Sequence, residues 1–363
     1  MLNKKQVDIE LMRVIAAFWV IFVHTGKNGL FLFASYPQNS IQFWGYMLIS
    51  IFSKFSSNLF FAIAGALLLT RDPEPFNRLM KRVWKSLFIL IIWTAFYYLV
   101  NKGFNVSPQD IYEFIKKFVT SKINFSYWFL YAYLVLLLIL PILQRLAKSL
   151  TNREYLYIFA LALISSIIPI IEYSIWQGKT YFVGDFKGRL SWITRDIFIY
   201  PLLGYFLKER IKDFWNGKRV TLLWIINIAC GCLAAYMTYY RGNIMGEITE
   251  GKSQMFHNTF ALIKVTSVFV TCQYLYAKTH FSKWIEKAIC SIGGCTFGIY
   301  LLHIYLKGNK GPLVKVSKYL YQKPSPLGLD TMTTTFIFVT IVFITGYIIT
   351  IIMKRLPILK KLV

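Results

Sequence analysis

Long uninterrupted apolar runs recur along the whole chain, and each is close to the roughly 20 residues that a membrane-spanning helix needs. About ten such runs are present, separated by polar or basic stretches. They lie near residues 8–26, 48–69, 84–100, 126–143, 155–171, 192–207, 220–240, 257–277, 286–305 and 332–353. The apolar residues are continuous rather than alternating, which argues against the strands of a membrane barrel. The sequence therefore predicts an all-α polytopic membrane protein with about ten transmembrane helices.

The charge distribution predicts how these helices cross the membrane. The formal net charge is +25, which in a soluble protein would suggest a nucleic-acid partner. In a membrane protein, an excess of Lys and Arg marks the cytoplasmic loops. Placing the N-terminus inside gives those loops the larger share of basic residues, and the stretch "TRDPEPFNRLMKRVWK" is the clearest inside loop. We therefore predict cytoplasmic N- and C-termini, the lipid bilayer as a partner, and no nucleic acid.

The remaining composition predicts one membrane domain over residues 1–363. The longest loops, about residues 101–125 and 306–331, both fall outside in this topology and leave no room for a large soluble domain. The five cysteines lie in or beside the apolar runs and form no CxxC pair. Neither a disulfide framework nor a zinc site is therefore indicated. Four scattered histidines without a carboxylate cluster supply no metal-ligand set.

The first apolar run contains two ionisable residues, Arg13 and His24, eleven positions apart. At about 100° and 1.5 Å per residue, they lie on nearly the same helix face and about 16 Å apart along the axis. Ionisable groups within a bilayer are costly and often functional. One interpretation is that Arg13 snorkels and His24 is interfacial. The other is an anion clamp at the inner end and a general base at the outer end, since an imidazole with a pKa near 6.5 can accept a hydroxyl proton.

At this point the sequence resembles a known family. The stretch "IELMRVIAAFWVIFVHTG" is similar to the opening helix of the acyltransferase-3 family of integral membrane O-acyltransferases. Three later stretches agree in order and spacing: "LFFAIAGALLLTRD" with the basic "NRLMKRVWK", then "YWFLYAYLVLLLILPIL", then "CTFGIYLLHIYL". The resemblance covers nearly the whole chain. Ala64 departs from the family pattern, which often has serine before the glycine that is Gly65 here.

The resemblance implies a reaction and its partners. An acyl group, usually acetyl, moves from cytoplasmic acyl-coenzyme A to a hydroxyl of a cell-surface or lipid-linked glycan. Acetyl-CoA is then a donor substrate, and no cofactor is permanently bound. The chain looks most like the surface-polysaccharide O-acetyltransferase branch, without an appended extracellular hydrolase-like domain. The family also implies an integral protein of the bacterial inner membrane.

Basic residues near the predicted cytoplasmic side are the candidates for binding the phosphates of coenzyme A, because guanidinium and ammonium groups pair with such anions. They are Arg13, Arg78, Lys81, Arg82 and Lys85. For the last four, an ordinary basic inside loop is an equally good interpretation. His24 is the candidate base, which deprotonates the acceptor hydroxyl as that oxygen attacks the thioester carbonyl.

A second group of candidates lies near the outer side of later runs. His303 ends "GIYLLH" at the predicted depth of His24 and is a second catalytic candidate, to orient the acceptor or stabilise developing charge. Tyr300, Trp128 and Tyr131 are candidates for substrate binding, although aromatic residues are also common at membrane interfaces. Arg195 either binds an anionic acceptor or forms a structural ion pair, and His303 is otherwise an interfacial histidine.

Two other functions fit the apolar runs. A transporter or flippase for a glycan or lipid-linked glycan would also be basic and polytopic, but transporters often show internal repeats or paired broken helices, which this sequence does not show. A structural partner in a polysaccharide synthesis complex explains the runs but not the shared face of Arg13 and His24. Homo-oligomerisation is left open by the sequence.

Overall fold

The computed structural model describes residues 6–103, 106–177, 196–246, 256–279, 281–322 and 325–363. Within these ranges the regular structure is helical and contains no strand, which confirms the all-α prediction. In chain order the helices are α1 (Val7–Val23), α2 (Ile41–Ser53), α3 (Ser56–Leu68), α4 (Phe76–Lys102), α5 (Pro108–Val119), α6 (Trp128–Ser149), α7 (Asn152–Trp176), α8 (Asp196–Tyr205), α9 (Gly217–Met245), α10 (Ala261–Lys278), α11 (Lys283–Gly293), α12 (Thr296–Lys307), α13 (Val314–Leu320) and α14 (Thr331–Arg355).

Six helical segments of the described chain are long and apolar enough to cross a membrane. They are Ile41–Leu68, Phe76–Lys102, Phe125–Ser149, Asn152–Trp176, Gly217–Ile244 and Thr331–Arg355. A seventh is added if α11 and α12 form one broken span. The other apolar runs also contain helix, namely α1, α8 and α10. Ten spans and cytoplasmic termini therefore remain predictions.

Side-chain caps fix where several helices begin. The hydroxyl of Ser40 accepts a hydrogen bond from the Phe43 backbone N–H at the start of α2. The Asp330 carboxylate accepts from the backbone N–H groups of Met332 and Thr333 at the start of α14. Such caps satisfy N–H groups that the first helical turn leaves without partners. At the C-terminal end of α9, Gly246 has φ +72°, a left-handed conformation that favours glycine.

The predicted loops contain two further helices, α5 and α13. The start of α5 carries a capping box, in which Ser107 and the Asp110 side chain pair, and Pro108 occupies the first helical turn. These signals are typical of a helix N-terminus. Apolar side chains of α5 stay exposed, including Ile111, Ile115 and Val119. The stretch is too polar to count as a span, which is why hydropathy alone assigned it to a loop.

The chain forms two compact units. The first comprises Met1–Arg71 and Leu143–Gly294, and the second Asp72–Ile142 and Cys295–Val363. The prediction of a single domain stays a prediction.

The closest helix packing in the first unit is between α3 and α8. A Cβ atom at Gly65 would collide with the backbone of Pro201, and one at Gly204 would collide with the backbone of Ala62. Each helix therefore presents a glycine to the backbone of the other. Small residues at such positions let membrane helices approach closely and gain dispersion energy. In the stretch "LFFAIAGALLL", Ala62 and Gly65 are the small residues at this contact.

Helix α1 packs against α3, α10 and α11 in the same unit. In the first turn of α1, the Glu10 side chain is what a Cβ atom at Gly293 of α11 would meet. Gly293 thus allows α11 to lie directly against Glu10, whose residue is 6% exposed. This packing places a buried carboxylate one helical turn from Arg13.

In the second unit, α12 packs against α14 and against the start of α6. A Cβ atom at Gly298 would meet the Thr350 side chain of α14. The Tyr127 hydroxyl donates to the Leu301 carbonyl at 2.9 Å, which ties the start of α6 to α12. Helix α12 carries His303, the second catalytic candidate from the sequence.

Candidate active site

His24 follows the last residue of α1 and is held by its own helix. Its Nδ1 lies 2.7 Å from the carbonyl oxygen of Val20. A backbone carbonyl only accepts hydrogen bonds, so the hydrogen of this bond is on Nδ1. In the neutral ring the lone pair is then on Nε2. This tautomer is the arrangement that a general base needs, with one nitrogen anchored and the other carrying the basic lone pair.

Arg13 is oriented by an ion pair. Its Nη1 donates to Glu10 Oε1 at 2.8 Å, and the two side chains are 30% and 8% exposed. The guanidinium has five N–H donors, and this bond uses one of them. A guanidinium fixed by a carboxylate can still present its other donors to an anion. The Glu10 carboxylate therefore pairs with Arg13, three residues later on the same helix.

In the second unit, His303 has the same kind of hydrogen bond that His24 has in the first unit. The residue is fully buried. Its Nδ1 lies 2.5 Å from the carbonyl oxygen of Tyr300, one turn earlier on α12. The same reasoning places the hydrogen on Nδ1 and the lone pair of the neutral ring on Nε2. Both candidate histidines thus share one tautomer, although the structure describes them in separate units.

The predicted substrate-binding aromatics use their polar groups within the protein. The Tyr300 hydroxyl donates to the Ser126 carbonyl at 2.5 Å, and the Tyr131 hydroxyl donates to the Phe118 carbonyl at 2.7 Å. Trp128 is partly buried beside Phe129, with ring centroids 6.2 Å apart. In this conformation Tyr300 and Tyr131 hold backbone segments in place. Their roles in binding substrate remain predictions.

Tyr300→Phe is expected to lower stability, because it removes the donor to the buried Ser126 carbonyl. Leaving a buried carbonyl without its partner costs about 1–3 kcal/mol. Thermal melting of the purified protein measures this, with Tyr112→Phe as the control because Tyr112 is exposed on α5. A Tyr300→Phe protein that melts like wild type but has a higher KM for acceptor would instead indicate a direct contact with substrate.

The four basic residues that the sequence placed in an inside loop lie on one face of α4, in its first turns. Arg78, Lys81, Arg82 and Lys85 follow a spacing of three and four residues within its first turns, so they form a single stripe. We call these four residues the basic stripe. Arg82 Nη1 donates to Glu74 Oε1 at 2.9 Å, whereas Arg78, Lys81 and Lys85 are exposed. The positive end of the helix dipole adds to this field.

The structure groups the predicted residues in two places. In the first unit, Arg13 lies within α1, and His24 directly follows the last residue of that helix. The second unit contains His303, Tyr300, Trp128, Tyr131 and the basic stripe. Arg195 lies outside the described residues.

Lys264 is a buried lysine within the apolar run near residues 257–277. It is 1% exposed, and its Nζ donates to the carbonyls of His257 at 2.6 Å and Ile51 at 3.0 Å. His257 is also fully buried, with Nδ1 3.2 Å from Ser50 Oγ. Lys264 therefore ties the turn before α10 to α2. The only sequence signal for this role was a lysine inside an apolar run, which does not identify its partners.

A metal site is not formed by the described parts of the chain, where no group of three His, Cys, Asp or Glu side chains is close enough to hold an ion. The sequence-based expectation that no metal is needed remains a prediction.

Comparison with protein families gives a match over nearly the whole chain. The model of a family described as an acyltransferase domain, acyltransferase-3, matches residues 6–355. The matched range covers most of each unit and every candidate residue named above. No curated protein matches the chain. No solved structure matches it.

Proposed function

Since the chain belongs to the acyltransferase-3 family and is an integral membrane acyltransferase, we propose that it transfers an acetyl group from cytoplasmic acetyl-CoA to a hydroxyl of a cell-surface or lipid-linked glycan. Membership of an enzyme family favours this function over the transporter and the assembly partner. The bacterial inner membrane, where cytoplasmic acetyl-CoA and envelope glycans meet, is part of the proposal.

The observation that carries the proposed mechanism is the hydrogen bond between His24 Nδ1 and the Val20 carbonyl. Nε2 then removes the proton from the acceptor hydroxyl while the hydroxyl oxygen attacks the thioester carbonyl. The new C–O bond forms, the C–S bond breaks, and the thiolate of coenzyme A takes the proton from the imidazolium. His303 contributes by orienting the acceptor or stabilising the negative charge that develops on the carbonyl oxygen.

The donor's phosphates are assigned to cationic side chains at the inner end. Arg13 has its guanidinium orientation fixed by Glu10, and the basic stripe offers three exposed cations on one face of α4. Guanidinium and ammonium groups form strong charge-assisted hydrogen bonds with phosphate. Once the acceptor hydroxyl lies beside His24, it excludes water from that position. Hydrolysis of the donor thioester is then disfavoured.

The proposed function is tested with purified protein in nanodiscs, radiolabelled acetyl-CoA and glycan lipids extracted from cell envelopes. We expect alkali-labile label on the glycan together with one released coenzyme A for each acetyl group transferred. Label that appears only as free acetate, or no release of coenzyme A by folded protein, would contradict the proposal.

Neutralising the basic stripe is expected to weaken donor binding. In the triple variant Arg78→Gln, Lys81→Gln, Lys85→Gln, we expect KM for acetyl-CoA to rise by at least about tenfold at low salt, since each charged hydrogen bond contributes roughly 1.5–3 kcal/mol before solvent screening. The difference from wild type should shrink as salt screens exposed charges. The matched control is Lys360→Gln, Lys361→Gln, which removes charge from the C-terminal segment. If the stripe variant binds acetyl-CoA with wild-type affinity, the phosphates of the donor are bound by other residues.

A further inference from the structure

The first unit contains an open cleft of about 630 Å³ between the start of α2 and the last third of α9. Its size is within the range of small-molecule binding sites. It is lined by Gln38, Asn39, Trp44, Tyr236 and Tyr239. None of the residues assigned above to catalysis or donor binding lines it.

The cleft is built on a rigid base. Ser40 caps α2 and so fixes the helix turn that carries Trp44. The rings of Trp44 and Tyr239 contact each other, with centroids 5.2 Å apart, and both pack against a buried cluster that includes Phe43. Gln38 and Asn39 are exposed at the rim. Trp44 and Tyr239 are therefore held by packing, while Tyr236 and the two amides are exposed.

The lining chemistry selects one class of ligand. The aromatic rings offer flat apolar faces, and the hydroxyls and amides can both donate and accept hydrogen bonds. None of the five lining residues carries a charge. A ligand with several phosphates, such as acetyl-CoA, would leave its charges without partners there. A neutral sugar ring, with apolar C–H faces and a rim of hydroxyl groups, matches both kinds of lining group.

A shared buried cluster connects the cleft to the end of α1 that precedes His24. Val23, the last residue of α1, packs against the same buried cluster as Trp44 and Tyr239. The chain then runs from His24 through residues 25–37 directly to Gln38 and Asn39. A glycan held in the cleft would therefore be bound by the same end of the first unit that holds the candidate base.

We propose that this cleft binds a neutral sugar unit of the acceptor glycan, next to the unit that is acetylated. This assignment rests on the proposed function, because it takes a glycan to be the acceptor. It names the substrate class as a glycan with an uncharged residue near the acetylated one. It also makes the cleft residues determinants of acceptor specificity, separate from the groups that bind the donor.

The first test measures sugar binding directly, without turnover. Purified protein in nanodiscs is examined by saturation-transfer NMR with three neutral probes, the hexasaccharides of maltose, cellulose and chitin type, and with an anionic hexagalacturonate. We expect at least one neutral probe to bind. Binding should weaken by at least about tenfold in Gln38→Ala, Asn39→Ala and in Tyr236→Ala, which alter exposed side chains. Tyr157→Ala, at an exposed tyrosine on α7 of the same unit, is the matched control.

The proposal is overturned if wild type binds none of the neutral probes, if binding survives in the cleft variants, or if hexagalacturonate binds as tightly as the neutral probes.

The second test uses the transfer assay with envelope glycan lipids. Cleft variants should raise KM for acceptor without changing KM for acetyl-CoA. Transfer with wild-type KM for acceptor in these variants would reject the cleft and keep the enzyme. Absence of transfer by wild type would reject the proposed function. The NMR experiment would still show whether the cleft binds a neutral sugar.

Discussion

Replacing His24 with alanine is expected to lower kcat for acetyl transfer by about 10²- to 10⁴-fold, the usual contribution of a general base. The donor should still bind, because the groups assigned to its phosphates are Arg13 and the basic stripe. In the folded protein the imidazole is anchored through Nδ1 to Val20, so the variant removes Nε2 and one local hydrogen bond. The measurement is kcat for acetyl transfer together with equilibrium binding of acetyl-CoA to the same preparation.

Two controls make this result specific. Lys27→Ala alters an exposed residue just past the same helix and should leave kcat near wild type. A thermal melt of His24→Ala should lie close to wild type, because the histidine is only partly buried at the helix end. If His24→Ala is folded, binds donor and transfers acetyl at the wild-type rate, His24 is not the base. A loss of donor binding would instead indicate that His24 contributes to binding acetyl-CoA.

Introducing a side chain at Gly204 is expected to prevent stable packing of α3 against α8. Its Cβ would collide with the backbone of Ala62, and a backbone cannot rotate away as a flexible side chain can. Overpacking usually costs about 1–3 kcal/mol and sometimes more. For Gly204→Val we expect at least about 3 kcal/mol, and Gly65→Ala, which meets Pro201, should be similarly damaging. The readouts are the yield of monodisperse protein and its melting temperature.

Gly45→Ala is the matched control for this prediction. Gly45 lies on α2 with nothing within 4 Å of the added Cβ. Alanine there should be neutral or stabilise by roughly 0.5–1 kcal/mol, since glycine is unfavourable within a helix. A Gly204→Val protein that purifies and melts like wild type would show that α3 and α8 are not packed as closely as described.

The apolar pattern was sufficient to predict helices, because a helix that faces lipid needs a continuous apolar surface. It also located α1, whereas the shared face of Arg13 and His24 stays a prediction. It was not sufficient to predict the breaks within apolar runs. The helices α2 and α3 are separate, although hydropathy joins them across Lys54. The α5 helix was missed because its polar side chains lower the average hydropathy, and only its capping box reveals it.

Tertiary partners could not be predicted from spacing. Lys264 donates to carbonyls of Ile51 and His257, and no sequence pattern identifies a distant backbone acceptor. The same holds for Tyr300, whose hydroxyl donates a hydrogen bond to the Ser126 carbonyl. The cleft was missed for a related reason. Its aromatic and amide residues come from two segments about 200 residues apart, so neither segment alone resembles a sugar-binding site.

The most direct test of the proposed mechanism is single-turnover transfer from labelled acetyl-CoA to envelope glycan. It is measured with wild type, His24→Ala, and His24→Ala supplemented with free imidazole. We predict rapid label transfer in wild type, a rate about 10²- to 10⁴-fold lower in His24→Ala, and partial recovery when imidazole replaces the missing base. A His24→Ala protein that labels the glycan at the wild-type rate without imidazole would contradict the assignment of His24 as the catalytic base.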